Sequence, residues 1–107
     1  MRILLDESAP SELRELLADH DVETVPERGW RAKENGELLT LAVGEGFDAF
    51  VTPDQNIPHQ QNLASFDIAV VILAAGRNRR ATYEPVAGKL RELVEGAPRG
   101  EVTWFRG

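Results

Sequence analysis

Ile68-Ala69-Val70-Val71-Ile72-Leu73 is six apolar residues with no polar break, four of them β-branched. A strand of that composition has no face suited to water, so it belongs in the middle of a sheet covered on both sides. That is the usual setting of parallel strands joined by helical crossovers. The rest of the chain supplies the crossovers. Arg2 to Leu5 reads as a first buried strand ending at Asp6-Glu7, followed by a helix that opens near Pro10, buries Leu13, Leu16 and Leu17, and closes near Asp19-His20.

His20 to Val25 reads as a second strand stopped by Pro26, and Glu27 to Lys33 as a connection. Asn35 is placed to cap a helix with Gly36 and Glu37 in its first turn, Leu38, Leu41 and Ala42 on its buried stripe, and Gly44 and Gly46 at its end. Phe47 to Thr52 is a third strand, and the polar stretch from Pro53 to Asn62 leads toward the central one. Thr82 is placed to cap a last helix with Val86, Leu90, Leu93 and Val94 on one face; Gly96 and Pro98 stop it, and Glu101 to Phe105 is a final strand. The expectation is α/β: a single domain over residues 1–107, a three-layer sandwich around a mostly parallel sheet of four to five strands. Trp30 and Trp104 read as packing residues.

Composition narrows the chemistry. The 107 residues carry 12 Lys and Arg against 18 Asp and Glu, a formal charge of −6, so bulk electrostatics does not draw the chain to polyphosphate. Cysteine is absent, which excludes disulfides, thiolate zinc sites and cysteine nucleophiles. No Walker or dinucleotide glycine loop and no nucleophile-elbow serine occurs. The opening apolar run meets Asp6 too soon for a signal peptide or membrane span, so the expected location is the cytoplasm, with no membrane partner.

Ligands of open α/β sheets gather at the carboxyl ends of the strands. Asp6 and Glu7 follow the first strand, Asp54 follows the third, and Glu37 lies in the first turn of a helix that starts on the same edge. Converging carboxylates repel unless a cation neutralises them, and oxygen ligands without His or Cys support suit Mg²⁺ or Mn²⁺. Asp6, Glu37 and Asp54 are therefore the candidate catalytic and metal-binding residues, with Glu7 beside them. Acids at such positions also cap amides and oppose helix dipoles in ordinary structural roles.

Gly76-Arg77-Asn78-Arg79-Arg80 concentrates three basic residues just after the central strand, where Arg77, Arg79 and Arg80 could hold phosphates. Gln55, Asn56, His59, Gln60, Gln61 and Asn62 form a polar run that could order water or contact a base, Gln55 and Asn56 being nearest Asp54. His59 alone makes no zinc site.

At these residues the chain resembles the small PIN-like domains related to VapC-type toxin ribonucleases. The likeness runs from Met1 to about Val94, through Ile3-Leu4-Leu5-Asp6-Glu7 with Pro10, His20-Asp21-Val22-Glu23-Thr24-Val25, Gly29-Trp30, Asn35-Gly36-Glu37-Leu38-Leu39, Val51-Thr52-Pro53-Asp54-Gln55-Asn56 and Gln60-Gln61-Asn62-Leu63. The resemblance implies a PIN-like sheet, Mg²⁺ or Mn²⁺ held by Asp6, Glu37 and Asp54, hydrolysis of RNA, a small antitoxin protein as partner, and homodimer formation. The pattern departs at the fourth acid of many PIN nucleases, since Asp67, ahead of the central strand, is the only carboxylate between Gln55 and Ala81. Two other classes compete. One is a non-catalytic protein-binding module. The other is a receiver-like phosphoacceptor, matched by the acids after strands one and three and by Pro58, but lacking the expected hydroxyl at Ala74-Ala75 and the expected lysine at Arg106.

Overall fold

The computed structural model describes residues 1–75 and 80–107; Gly76 to Arg79 and the side chain of Arg80 lie outside the described residues. Five strands, β1 Arg2–Leu5, β2 Asp21–Thr24, β3 Ala49–Thr52, β4 Ala69–Leu73 and β5 Val102–Phe105, form one sheet in the order β2-β1-β3-β4-β5. Every pairing is parallel. The helices are α1 Leu13–Leu16, α2 Asn35–Gly44, α3 Ile57–Gln60, α4 Arg80–Tyr83 and α5 Ala87–Gly96, with single 3₁₀ turns at Leu63–Ser65 and Glu84–Val86.

Side-chain alternation along the strands divides the interior in two. Ile3, Leu5, Ala49, Val51, Val71 and Leu73 face one way and pack with Leu13, Leu17, Tyr83, Leu90 and Val94. Leu4, Phe50, Val70 and Ile72 face the other way and meet Leu38, Leu39, Ala42, Ile57 and Leu63. The sheet is thus sandwiched by α1, α4 and α5 on one side and by α2 and α3 on the other. As its composition demands, β4 is buried at every residue.

Local chemistry accounts for where helices stop. Gly46, at φ +80°, closes α2: its N–H reaches the Val43 carbonyl and the Phe47 N–H reaches that of Ala42, the pairing of a Schellman end. The predicted last helix is broken by Pro85, which lacks an N–H and crowds the preceding turn, so Thr82 sits inside the short α4 instead of capping a continuous helix. The predicted first helix is also shorter. Leu13 and Arg14 bond three residues back, to Pro10 and Ser11, so the approach is a series of tight turns and only Leu13–Leu16 is α-helical.

Two features carry stability predictions. Tyr83 is fully buried with its ring 6.0 Å from that of Phe105, its hydroxyl has no hydrogen-bond partner among the described residues, and burial pushes its pKa up. Tyr83→Phe removes the unsatisfied group and keeps the ring. It is expected to stabilise the fold by about 1 kcal/mol, read as a higher urea midpoint.

At the opposite edge from the strand carboxyl ends, Asp48 accepts the Arg2 N–H at 2.7 Å and pairs with the Arg99 guanidinium, and Glu23 accepts from the Arg2 guanidinium at 3.0 Å. The Arg2 hydrogen bond is the main cause that lowers each pKa, Glu23 from 4.5 and Asp48 from 3.8. Both groups therefore bind protons less readily folded than unfolded. Their stabilisation is complete above about pH 4.5 and is lost as pH falls through the lowered folded values. Urea midpoints measured from pH 6 to pH 2 should drop below pH 4.5, and less steeply in Glu23→Gln.

Candidate functional site

In a doubly wound sheet the crevice opens where the chain reverses the direction in which it adds strands. Here β2 is added on one side of β1 and β3 on the other, so the reversal lies between β1 and β3. Register then places the side chains. Leu5 is level with Val51, the Asp6 N–H continues the ladder to the Val51 carbonyl at 2.9 Å, and Asp6 therefore emerges beside Thr52.

Thr52 is fully buried, and its hydroxyl joins the two strand ends. It donates to Asp6 Oδ2 at 2.6 Å and accepts the Asp54 N–H at 3.0 Å. Asp6 is itself 9% exposed, and its carboxylate also accepts the Glu7 N–H at 2.8 Å and the Ser8 hydroxyl at 3.3 Å. Past Pro53, Asp54 accepts the Asn56 N–H at 2.9 Å on one oxygen and the Asn35 carboxamide at 2.9 Å on the other. Among the described residues every hydrogen-bond partner of the two carboxylates is neutral, and no Lys, Arg or His forms an ion pair with either.

Asn35 therefore differs from its expected role. It is the first residue of α2, the cap position belongs to Glu34, and the carboxamide makes no capping bond because it is committed to Asp54. Glu37 lies two residues into α2 from Asn35 but is mostly exposed and pairs with Lys33 at 3.7 Å. Asp6 and Asp54 are thus linked through Thr52, whereas Asp6, Glu37 and Asp54 do not come together, since among the described residues no three His, Asp or Glu side chains are grouped to hold a metal ion. Glu7 accepts the Ala32 N–H at 3.2 Å and so ties the β2–α2 loop to the end of β1. Ala32 takes the left-handed φ of 67° at that contact.

Of the expected substrate-binding residues, Gln55 and Asn56 are exposed next to Asp54, Asn56 giving its N–H to that carboxylate. Arg77 and Arg79, with the Arg80 side chain, lie outside the described residues. His59 is exposed, Trp30 is buried against Phe47, and Trp104 is partly buried. Sequence reasoning missed Thr52 and Lys33. A threonine ending a buried strand ahead of Pro-Asp was the available signal for the first; for the second there was none.

A polar cleft of about 500 Å³ adjoins Asp54, lined by Lys33, Glu34, Asn35, Gln60 and Gln61 as well. Comparison of the chain with family models, curated proteins and solved structures finds no match to any of them. No helix among the described residues is long and apolar enough to cross a membrane.

Proposed function

We propose that the chain is a PIN-like, Mg²⁺- or Mn²⁺-dependent ribonuclease, the cytoplasmic toxin component of a pair completed by a small antitoxin protein. The observation that carries this reading is the buried Asp6 carboxylate at the strand reversal, linked through Thr52 to the Asp54 N–H and, among the described residues, supplied only with neutral donors. An ionised carboxylate out of water is costly without a cation, and hydrogen bonds offset only part of that cost. The donor set fits the ion, because Mg²⁺ is commonly held by one or two carboxylates, the remaining positions going to water and substrate phosphate. Asp6 and Asp54 would hold it. When bound, it supplies an activated water and offsets charge on the attacked phosphodiester.

The chain's own residues do the positioning. Thr52 fixes the orientation of Asp6, Asn35 fixes that of Asp54, and Glu37 steadies the Lys33 ammonium on the wall of the cleft. Incubation of the purified protein with Mn²⁺ and a panel of single-stranded RNAs and tRNAs is expected to give cleavage that Asp54→Asn removes. An intact panel, or an undiminished Asp54→Asn, would sink the hydrolase reading and leave the protein-binding module.

The strand order and the position of Asp54 just past β3 also suit the phosphoacceptor reading. Against it, β4 runs out into Ala74 where that chemistry wants a hydroxyl, and Arg106 after β5 lies over the Trp104 ring at 5.0 Å. Acetyl phosphate labelling of Asp54 would reverse that preference.

A further inference from the structure

Part of the lining of the cleft beside Asp54, the side chains of Gln60 and Gln61, has no role in the hydrolytic step. Three of the cleft's six side chains are carboxamides, Asn35, Gln60 and Gln61, and none is apolar or aromatic. Glu34 and Asp54 outnumber Lys33, so the cleft itself does not favour an anion. What it offers is paired donors and acceptors.

Those groups are unequally committed. The Asn35 NH₂ is spent on Asp54 and, at 3.4 Å, on the side-chain Oε1 of Gln60, which leaves Gln60 its own NH₂. Gln61, half-buried, has no side-chain hydrogen bond among the described residues. It is nonetheless placed closely: its Oε1 lies 2.9 Å from where a Cβ on Gly36 would be, so the glycine leaves the space the carboxamide occupies against the start of α2. An uncommitted carboxamide held against a wall presents one N–H donor and one oxygen acceptor side by side, the pattern that pairs with the edge of a nucleobase. The volume is in the range of small-ligand pockets. Single-stranded RNA, unlike a duplex, can turn such an edge into a cleft.

We propose that this cleft receives an unpaired nucleobase, that of a nucleotide adjoining the phosphodiester at Asp54, with Gln61 as its bidentate reader. The choice of RNA rests on the hydrolase reading; the base-binding geometry does not. The test uses the full chain without metal, following the side-chain NH₂ resonances of Asn and Gln by NMR. The probes are the four ribonucleoside 5′-monophosphates and ribose 5-phosphate.

At least one base is expected to shift the Gln61 resonances saturably while ribose 5-phosphate does not. Gln61→Ala should raise the Kd about tenfold. Gly36→Ala should do likewise, because its methyl displaces the Gln61 carboxamide, and alanine favours the helix, so the fold is retained. An equal shift with ribose 5-phosphate, unchanged affinity in Gln61→Ala, or no saturable shift with any nucleotide would overturn the proposal. RNA cleavage without Gln61-dependent base binding sinks it and spares the hydrolase reading. Base binding without cleavage supports it and removes the hydrolase reading.

Discussion

Mn²⁺ is expected to raise the melting temperature of the wild-type chain, and the increment should vanish in both Asp6→Asn and Asp54→Asn. An ion that binds only the folded state stabilises it by about 2.7 kcal/mol at 100 times its Kd, which for a domain of this size corresponds to roughly 10 °C. Each aspartate supplies an anionic oxygen that asparagine replaces with a neutral one, while the surrounding N–H and hydroxyl donors stay in place. The metal-dependent increment, and not the absolute melting temperature, is the quantity to compare, since either substitution also changes the apo protein. Cleavage of any RNA found to be a substrate should fall by at least about 100-fold in both variants, the upper end of what loss of a mere supporting contact to a metal ligand costs. Glu37→Gln separates the two-aspartate centre from the three-acid one. With Glu37 paired to Lys33, that variant should keep most of the Mn²⁺ increment; its complete loss would place Glu37 among the ligands.

Thr52→Val should destabilise the fold by about 2–4 kcal/mol, although valine matches threonine in shape. The hydroxyl has two partners that cannot both be replaced. The Asp6 carboxylate loses a charge-assisted donor at 2.6 Å with water largely excluded, and the part-buried Asp54 N–H loses its acceptor. Thr52→Ser keeps the hydroxyl and gives up one buried methyl, at about 1 kcal/mol. Equilibrium urea unfolding of the three proteins decides the matter. A valine variant as stable as wild type would mean that the hydroxyl does not join the strand ends. Because Thr52 also orients Asp6, the valine protein should bind Mn²⁺ more weakly where it remains folded, whereas the serine protein should bind it nearly as the wild type does.

Much of the architecture was legible in the chain because it is written in neighbouring residues. The unbroken run at Ile68–Leu73 read as an interior strand, which β4 is from Ala69 on, and the alternation of short apolar runs with helical stripes implied parallel crossovers. Asp6 and Asp54 could be assigned to the carboxyl edge by counting past the ends of β1 and β3. What was not legible depended on partners far apart in the sequence. Asn35 had the composition of a helix cap and instead reaches Asp54, 19 residues on, because the fold sets that acceptor beside it. Glu37 stood in the right turn for a ligand, but a helical turn can direct a carboxylate toward the crevice or along the surface, and Lys33 is within reach on the surface.

The sequence by itself determined the order of the five strands along the chain, the stripes of the longer helices and the edge on which the acids emerge, since hydrophobic periodicity and glycine or proline stops act within a few residues. Only the tertiary structure decided which acids share a neighbour. That depends on the register of β1 against β3, set by packing both faces of the sheet at once, and it is this register that brings the Thr52 hydroxyl between Asp6 and Asp54.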